Sequence, residues 1–329
     1  MSQKRCVFGP VPSRRLGRSL GVDLVPYKTC SFDCVYCQLG RTTRLTVARE
    51  EYVPTDGILC EIEETLGKSA TPDYITLSGS GEPTLHLGFG RVIEGIRNIT
   101  DTPIAILTNS SLFPDEEVRA DCAKADLVVP SLDVADRKLF SCINRPHRNV
   151  DFDEMVEGLI EFRKEFRGQL WLEILLLYGV TGVAPYVRQM VPLVERIRPD
   201  RVQLNTAVRP PADLVVRPVA ETDLQELAAL FGSHAEVIAH FSATEEEHDF
   251  RARREDVLAM LRRRPCSIED IACGMGIHRN EAVKYIGEME RDGRIRSEVR
   301  AGTLYYVAEE NRKDGYSSGD ISPHGTPDR

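Results

Sequence analysis

Three cysteines lie close enough in the sequence to bind one metal centre together. Cys30, Cys34 and Cys37 are separated by three and then two residues. Thiolates are soft ligands that suit iron and zinc, and three on one loop can converge on a single centre. Structural zinc usually takes four ligands in two pairs, and the sequence has no second Cys-x-x-Cys and no His-x-x-x-His pair. The spacing therefore favours an iron–sulfur cluster with one open iron over a structural zinc loop or unligated thiols.

Residues 30–37, Cys-Ser-Phe-Asp-Cys-Val-Tyr-Cys, resemble the signature Cys-x-x-x-Cys-x-aromatic-Cys of radical S-adenosylmethionine (SAM) enzymes, with Tyr36 as the aromatic residue. The resemblance implies a [4Fe-4S] cluster on Cys30, Cys34 and Cys37, whose open iron is chelated by SAM. It also implies a one-electron reductant such as flavodoxin or ferredoxin, reductive cleavage of SAM, and a 5′-deoxyadenosyl radical that modifies a substrate.

Later motifs resemble the SAM contacts of the same family. Residues 78–83, Ser-Gly-Ser-Gly-Glu-Pro, are similar to the family's Gly-Gly-Glu-Pro motif, but Ser80 separates the two glycines. For Asp133, a cap at a helix N-terminus is the alternative to a SAM contact. The residues that the resemblance places around SAM are Tyr36, Gly79, Gly81, Glu82, Asn109, Ser131 and Asp133.

Other polar residues have two interpretations each. Glu173 interrupts an apolar strand and is either a paired structural acid or a site residue. His147 is either a proton donor or a solvated surface group. Arg14, Arg15 and Arg18 belong to an opening loop rich in glycine and proline, where they would bind a carboxylate or phosphate or pair with local acids.

Apolar strand-like segments alternate with helix-like segments along most of the chain. Such alternation predicts a parallel sheet covered by helices, and we expect an α/β fold, a partial (β/α)6 TIM-like barrel. The functional residues should then lie at the carboxyl edge of the sheet. The six predicted strands are residues 20–25, 74–77, 104–107, 127–129, 170–177 and 202–205.

The pattern changes near the C-terminus. We expect the barrel with its extension to span residues 1–241, followed by an acidic linker at 242–250, a winged helix-turn-helix at 251–307 and a disordered tail at 308–329. Residues 251–300 hold 12 Lys and Arg against 9 Asp and Glu, so tRNA, DNA or a peptide is the candidate partner. The residues predicted to face outward from the recognition helix are His278, Arg279, Asn280, Lys284 and Tyr285.

A closer resemblance covers residues 6 to about 241. Residues 9–15, Gly-Pro-Val-Pro-Ser-Arg-Arg, and 144–147, Asn-Arg-Pro-His, resemble uncharacterised radical SAM iron–sulfur oxidoreductases related to wyosine (tRNA imidazoguanosine) synthases. Those synthases bind a second cluster on three further N-terminal cysteines, whereas only Cys6 precedes the triplet here. The implied function is radical modification of a substrate, with tRNA as the candidate. The alternatives are modification or activation of a peptide or protein held by the winged helix, and a non-catalytic iron–sulfur DNA-binding regulator.

Composition limits the remaining classes. The chain has 329 residues, of which 42% are hydrophobic, so it can bury an ordinary core. A formal charge of −9 argues against a surface uniformly coated by nucleic acid. There is no apolar signal core and no run near the roughly 18 apolar residues of a membrane span. We therefore expect a cytoplasmic protein without membrane association, with its cysteines reduced or bound to metal.

Overall fold

An eight-stranded sheet forms the centre of the chain in the computed structural model. The structure describes residues 6–13, 15–68, 71–207, 211–213, 215–238, 254–258, 260–261, 265–275, 277–300 and 303–309. Arg14, the predicted linker at 242–250 and residues 310–329 of the predicted tail lie outside this part. The strands are β1 Val7–Ser13, β2 Gly17–Val22, β3 Thr29–Cys30, β4 Arg44–Leu45, β5 Tyr74–Leu77, β6 Ile104–Thr108, β7 Leu127–Pro130, β8 Gln169–Leu176, β9 Arg201–Thr206, β10 Ala235–Val237, β11 Ile295–Arg300 and β12 Thr303–Ala308.

The strand order in the large sheet is β1-β2-β5-β6-β7-β8-β9-β10, and every neighbouring pair is parallel except β1 with β2. Strands β6 and β7 are almost wholly buried, as expected when helices cover both faces of a parallel sheet. The predicted α/β class with a mostly parallel sheet is confirmed, and the arrangement is consistent with a TIM-like partial barrel. All six predicted strands are present, as β2 and β5 to β9, whereas β1 and β10 were not predicted.

Helices connect the strands of the barrel, and the longer ones each bury an apolar face. In α5, Asp151 caps the N-terminus by accepting hydrogen bonds from the amides of Asp153 and Glu154, at 2.9 and 3.2 Å. Its inner face contributes Phe162, whose ring stacks on Phe166 with centroids 4.9 Å apart. The α-helices with defined bounds are α1 Thr55–Leu66, α2 Phe89–Ile99, α3 Glu116–Cys122, α4 Arg137–Leu139, α5 Phe152–Glu165, α6 Ala184–Ile197, α7 Glu221–Ala228, α8 Ile268–Met275 and α9 Arg279–Arg291. Residues 254–258 and 260–261 are also helical.

The opening residues rich in glycine and proline form strand β1, so the prediction of a loop there is wrong. Strand β1 pairs antiparallel with β2, and the register shifts between Phe8 and Val11. Proline removes a ladder donor, which suits a strand at the edge of a sheet beside an irregularity. Of the residues that carry the closer resemblance, residues 9–13 thus lie in an edge strand and Arg15 lies in the turn after it.

The C-terminal residues pack around a second core. Helices α8 and α9 precede an antiparallel hairpin of β11 and β12, and Leu261, Ile271, Ile286 and Tyr306 belong to their shared core. Helix–helix–hairpin is the order that a winged helix requires, but assignment to that domain class stays a prediction. Across the part of the chain that the structure describes, every helix is too short or too polar to cross a membrane.

Candidate cofactor site

Residues 143–147 contact the cysteine loop, residues 30–37, through backbone hydrogen bonds. The amide of Val35 donates to the carbonyl of Ile143 at 2.9 Å, and the amide of His147 donates to the carbonyl of Ser31 at 2.8 Å. Phe32 forms an isolated antiparallel bridge with Pro146. The Asn-Arg-Pro-His segment therefore supports the loop through its backbone. His147 does not line the cavity described below, so its proposed role as a proton donor gains no support.

Each sulfur of the triplet receives a nitrogen donor. Lys28 Nζ lies 3.0 Å from Cys37 Sγ, and Asn109 Nδ2 lies 3.4 Å from Cys30 Sγ. Asn144 Nδ2 lies 3.7 Å from Cys34 Sγ. Hydrogen bonds to cluster sulfurs are one of the means by which proteins tune iron–sulfur centres. A ring of three donors suits thiolates bound to iron, and these cysteines fit such a cluster.

Burial disfavours thiolates here unless a metal binds them. It raises the pKa of Cys30 to about 12 and that of Cys34 well above its usual range. Iron binding must therefore displace protons from these thiols. Among the described residues, no three Cys, His, Asp or Glu side chains form a group that could hold a metal ion. The thiolates of a cubane bind different irons, so they need not converge on one point as they would around zinc.

Lys28 brings a cation into contact with the triplet, through Cys37. Its side chain is buried, and burial alone would lower its pKa, but the charges of Cys37, Cys30 and Cys34 outweigh this and raise it. Sequence reasoning could not select this residue, because a lysine two positions before the first cysteine belongs to no motif. Its contact with Cys37 depends on the loop conformation, in which Lys28 has a φ of 58°.

We expect Lys28→Met to lower the reduction potential of the reconstituted cluster. A unit charge about 5 Å away at an effective dielectric near 20 corresponds to on the order of 100 mV. Potentiometric titration followed by electron paramagnetic resonance measures the shift, and Lys138→Met, at an exposed position, is the matched control. An equal potential in parent and Lys28→Met would contradict this electrostatic role.

Two glycines let the turn after β5 approach its neighbours. A Cβ on Gly81 would lie 1.9 Å from the carbonyl oxygen of Thr29, and one on Gly79 would lie 1.7 Å from Asp23 Oδ1. Gly79 also has a φ of +127°, which side chains rarely adopt. Ser80, the residue that separates the glycines, donates to Asp23 through its amide at 2.6 Å and its hydroxyl at 2.7 Å. The inserted serine therefore anchors the turn.

Glu82 follows strand β5 and accepts hydrogen bonds from residues at the end of strand β6. One carboxylate oxygen accepts hydrogen bonds from the hydroxyls of Thr84 and Thr108, both at 2.7 Å, and the other accepts from the amide of Asn109 at 2.7 Å. Burial raises the pKa of Glu82 and these hydrogen bonds lower it, with a net upward direction. Asn109 in turn donates to Ser31 Oγ at 2.9 Å. Glu82 thus positions Asn109 beside the cysteine loop.

Asp133 holds Tyr36. Its Oδ2 accepts hydrogen bonds from the Tyr36 hydroxyl and from Asn144 Nδ2, the latter at 2.8 Å, and its Oδ1 accepts from the amide of Leu175 at 3.0 Å. Burial raises the pKa of Asp133 to about 6. The alternative interpretation as a helix cap is wrong, because Asp136 caps α4. A direct SAM contact by Asp133 stays a prediction.

Most of the predicted site residues line one cavity of about 400 Å³ at the carboxyl edge of the sheet. Cys34 and Asp133 are not among the described residues that line it. The predicted site residues that do line it are Cys30, Tyr36, Cys37, Gly79, Gly81, Glu82, Asn109 and Ser131. Its size is within the usual range for small-molecule and cofactor pockets.

Glu173 lines the same cavity and is also paired. Its carboxylate accepts a hydrogen bond from Arg15 Nη1 at 2.8 Å and another from Asn205 Nδ2 at 2.8 Å. Arg15 also donates to Gln203 Oε1 at 3.1 Å. Glu173 is therefore a paired acid, and its role as a site residue stays a prediction. Arg15 pairs with an acid contributed by β8, not with one close to it in sequence.

Helix α9 faces the barrel, so the prediction of an outward recognition surface is wrong. Asn280 and Lys284 line the cavity, and Tyr285 is buried in the C-terminal core. His278 Nε2 lies 2.6 Å from Asp23 Oδ2. Amphipathic periodicity shows which residues of a helix share a face but not which neighbour that face contacts. The sequence therefore could not reveal these two cavity residues.

A known family model matches the part of the chain that contains the predicted site residues. The model of the radical SAM superfamily matches residues 24–183. A protein of Brachyspira hyodysenteriae named GTPase Obg is 36% identical over 92% of this chain, which covers only 45% of that protein. A UPF0026 protein of Methanocaldococcus jannaschii is 33% identical over 93% of this chain and 97% of its own length.

A solved structure supports the fold. The crystal structure of a radical SAM methyltransferase from Sphaerobacter thermophilus has a TM-score of 0.54 and 17% identity, over 67% of this chain and 65% of that one. Proteins of the superfamily use a [4Fe-4S] cluster and SAM, and these are the cofactors of the domain at residues 24–183. The chain belongs to the UPF0026 family and carries a radical SAM superfamily domain.

Proposed function

We propose that this protein is a radical SAM enzyme that cleaves SAM reductively and modifies a substrate by hydrogen abstraction. Cys30, Cys34 and Cys37 would hold the cluster. SAM would lie against Tyr36 and the other predicted contacts that line the cavity. When bound and reduced by one electron, the cluster and SAM supply a 5′-deoxyadenosyl radical and methionine.

The observation that carries the proposal is the convergence of two separate motifs on one cavity. Cys30 and Cys37 come from the loop after β2, whereas Gly79 and Gly81 come from the turn after β5. Gly81 brings that turn against the carbonyl of Thr29, directly before the first cysteine. A non-catalytic cluster would not need a cavity next to its open iron. The chain's own residues thus form a cofactor-sized space beside the triplet.

The remaining residues of the site would orient the bound groups and exclude water. Asp133 fixes the Tyr36 ring, and Glu82 fixes Asn109, so neither wall can move without breaking buried hydrogen bonds. The Arg15–Glu173 pair lies on the cavity wall with side chains only 11% and 14% exposed. This polar wall would face the substrate, since it is contributed by β8 and by the turn after β1 and not by the cysteine loop.

Reduced protein with SAM and no substrate should release 5′-deoxyadenosine slowly, and Cys34→Ala should release none. Anaerobic reconstitution, chemical reduction and chromatography of the products measure this. Cys142→Ala, which changes an exposed cysteine, should behave like the parent. If the parent releases no 5′-deoxyadenosine with any reductant, a non-catalytic iron–sulfur regulator becomes the better hypothesis.

Two substrate classes are proposed. tRNA is the first candidate, because of the resemblance to wyosine synthases, and a peptide bound through residues 251–307 is the second. The direction of α9 weakens the DNA-regulator hypothesis, since Asn280 and Lys284 line the cavity. RNA that copurifies with the full chain would favour the tRNA substrate. Flavodoxin or ferredoxin is the proposed electron donor.

A further inference from the structure

We infer that helix α9 completes the cofactor cavity, and that the side-chain amide of Asn280 donates a hydrogen bond to an oxygen of bound SAM. This inference rests on the proposed function. It assigns a residue of the C-terminal module, residues 251–307, to the binding site of the barrel. Carboxylate oxygens are the strongest acceptors that SAM offers to such a donor.

The start of α9 is tied to the barrel by a buried contact. His278 Nε2 lies 2.6 Å from Asp23 Oδ2, with side chains 11% and 9% exposed. The His278 ring stacks on Phe8 with centroids 4.4 Å apart. Asp23 is also the residue that anchors Ser80 in the turn after β5. One carboxylate therefore holds both the turn of the predicted SAM site and the N-terminus of α9.

Further contacts set the rotation of the helix. The amide of Gly9 donates to Glu281 Oε1 at 2.9 Å, and Glu281 is buried. The guanidinium of Arg279 lies over the ring of Tyr27, 4.0 Å from its centroid, and also pairs with Glu269. These contacts lie on β1 and next to the cysteine loop. The rotation that they impose turns Asn280 and Lys284, one helical turn apart, toward the cavity.

Asn280 brings a buried donor into this cavity. Its Nδ2 is shielded from solvent and has no hydrogen-bond partner among the residues that the structure describes. A Cβ on Gly79 would lie 3.0 Å from that nitrogen, so the amide lies against the glycine turn. Buried donors in native proteins are nearly always paired. The cavity beside this donor is where the missing acceptor would bind, and the turn next to it is the predicted SAM contact.

The test measures SAM affinity directly. Parent, Asn280→Ala and Asn280→Asp are reconstituted anaerobically, and SAM binding is followed by equilibrium dialysis and by the change that SAM causes in the resonance spectrum of the reduced cluster. We expect roughly 10- to 100-fold weaker binding for Asn280→Ala, the usual effect of losing a hydrogen bond to a charged group. Asn280→Asp keeps the size and the acceptor but loses the donor, and should bind at least as weakly.

Asn98→Ala, which changes an exposed residue of α2, is the control and should bind SAM like the parent. Iron content and circular dichroism should be the same in all variants. Parent affinity in Asn280→Asp would overturn the inference while leaving the proposed function intact. Failure of the parent itself to bind SAM would instead overturn the proposed function, and the inference with it.

Discussion

Alanine at any one of Cys30, Cys34 and Cys37 should reduce bound iron to a small fraction of the parent's, which we expect to be about four per chain for a cubane. The proposed cluster has three thiolate ligands, so losing one would leave two ligands for four irons. Anaerobic reconstitution followed by iron and sulfide analysis measures the loss. The absorption of the cluster should disappear together with the iron.

The structure identifies suitable controls for this experiment. Cys60 and Cys142 are exposed, and their alanine variants should retain the cluster. Cys122 is a poor control because its side chain is fully buried in the barrel core, where alanine would leave a small void. One equivalent of bound zinc with no uptake of iron would contradict the cluster, as would equal iron loss in the control variants.

Gly81→Ala should reduce SAM affinity by at least about 100-fold and destabilise the protein by roughly 3 kcal/mol, as overpacking against a fixed neighbour does. The added Cβ would lie 1.9 Å from the backbone carbonyl of Thr29, and no side-chain rotation can relieve that contact. The turn and the cysteine loop must therefore separate. Equilibrium dialysis of SAM and thermal unfolding measure the two effects.

Gly57→Ala is the matched control for this change. Gly57 lies within α1, and its added Cβ would meet no atom within 4 Å. Alanine there should leave SAM binding unchanged and should add up to about 1 kcal/mol of stability, because glycine is a poor helix former. Parent-like SAM binding in Gly81→Ala would show that the turn does not form the wall of the SAM site.

Because α9 packs against the barrel, removal of the C-terminal module should affect the SAM site. From the sequence alone, all predicted SAM contacts precede residue 242, so the barrel should bind SAM without the module. In the structure, Asn280 and Lys284 line the cavity, and His278 contacts the Asp23 that anchors Ser80. We therefore infer that the module contributes to the SAM site, whatever additional partner residues 251–307 bind.

The sequence by itself determined the cysteine triplet and the six predicted strands of the parallel sheet. Both are local patterns, since ligand spacing on one loop and the alternation of strands with helices are visible without knowing what packs against what. The glycine turn was also found in the sequence, but only through its resemblance to the family's Gly-Gly-Glu-Pro motif, since two glycines alone indicate no more than a tight turn. The roles of particular polar residues were not visible in the same way.

Only the tertiary structure decided which polar residues meet. Glu82 is a positioning residue because β6 brings Thr108 and Asn109 to it, and Asp133 holds Tyr36 from across the sheet. Asn280 reaches the cavity from about 200 residues beyond Gly79 in the chain, and no local pattern predicts a contact at that separation. Hydrogen bonds and helix docking depend on distances between elements, which periodicity and composition do not encode.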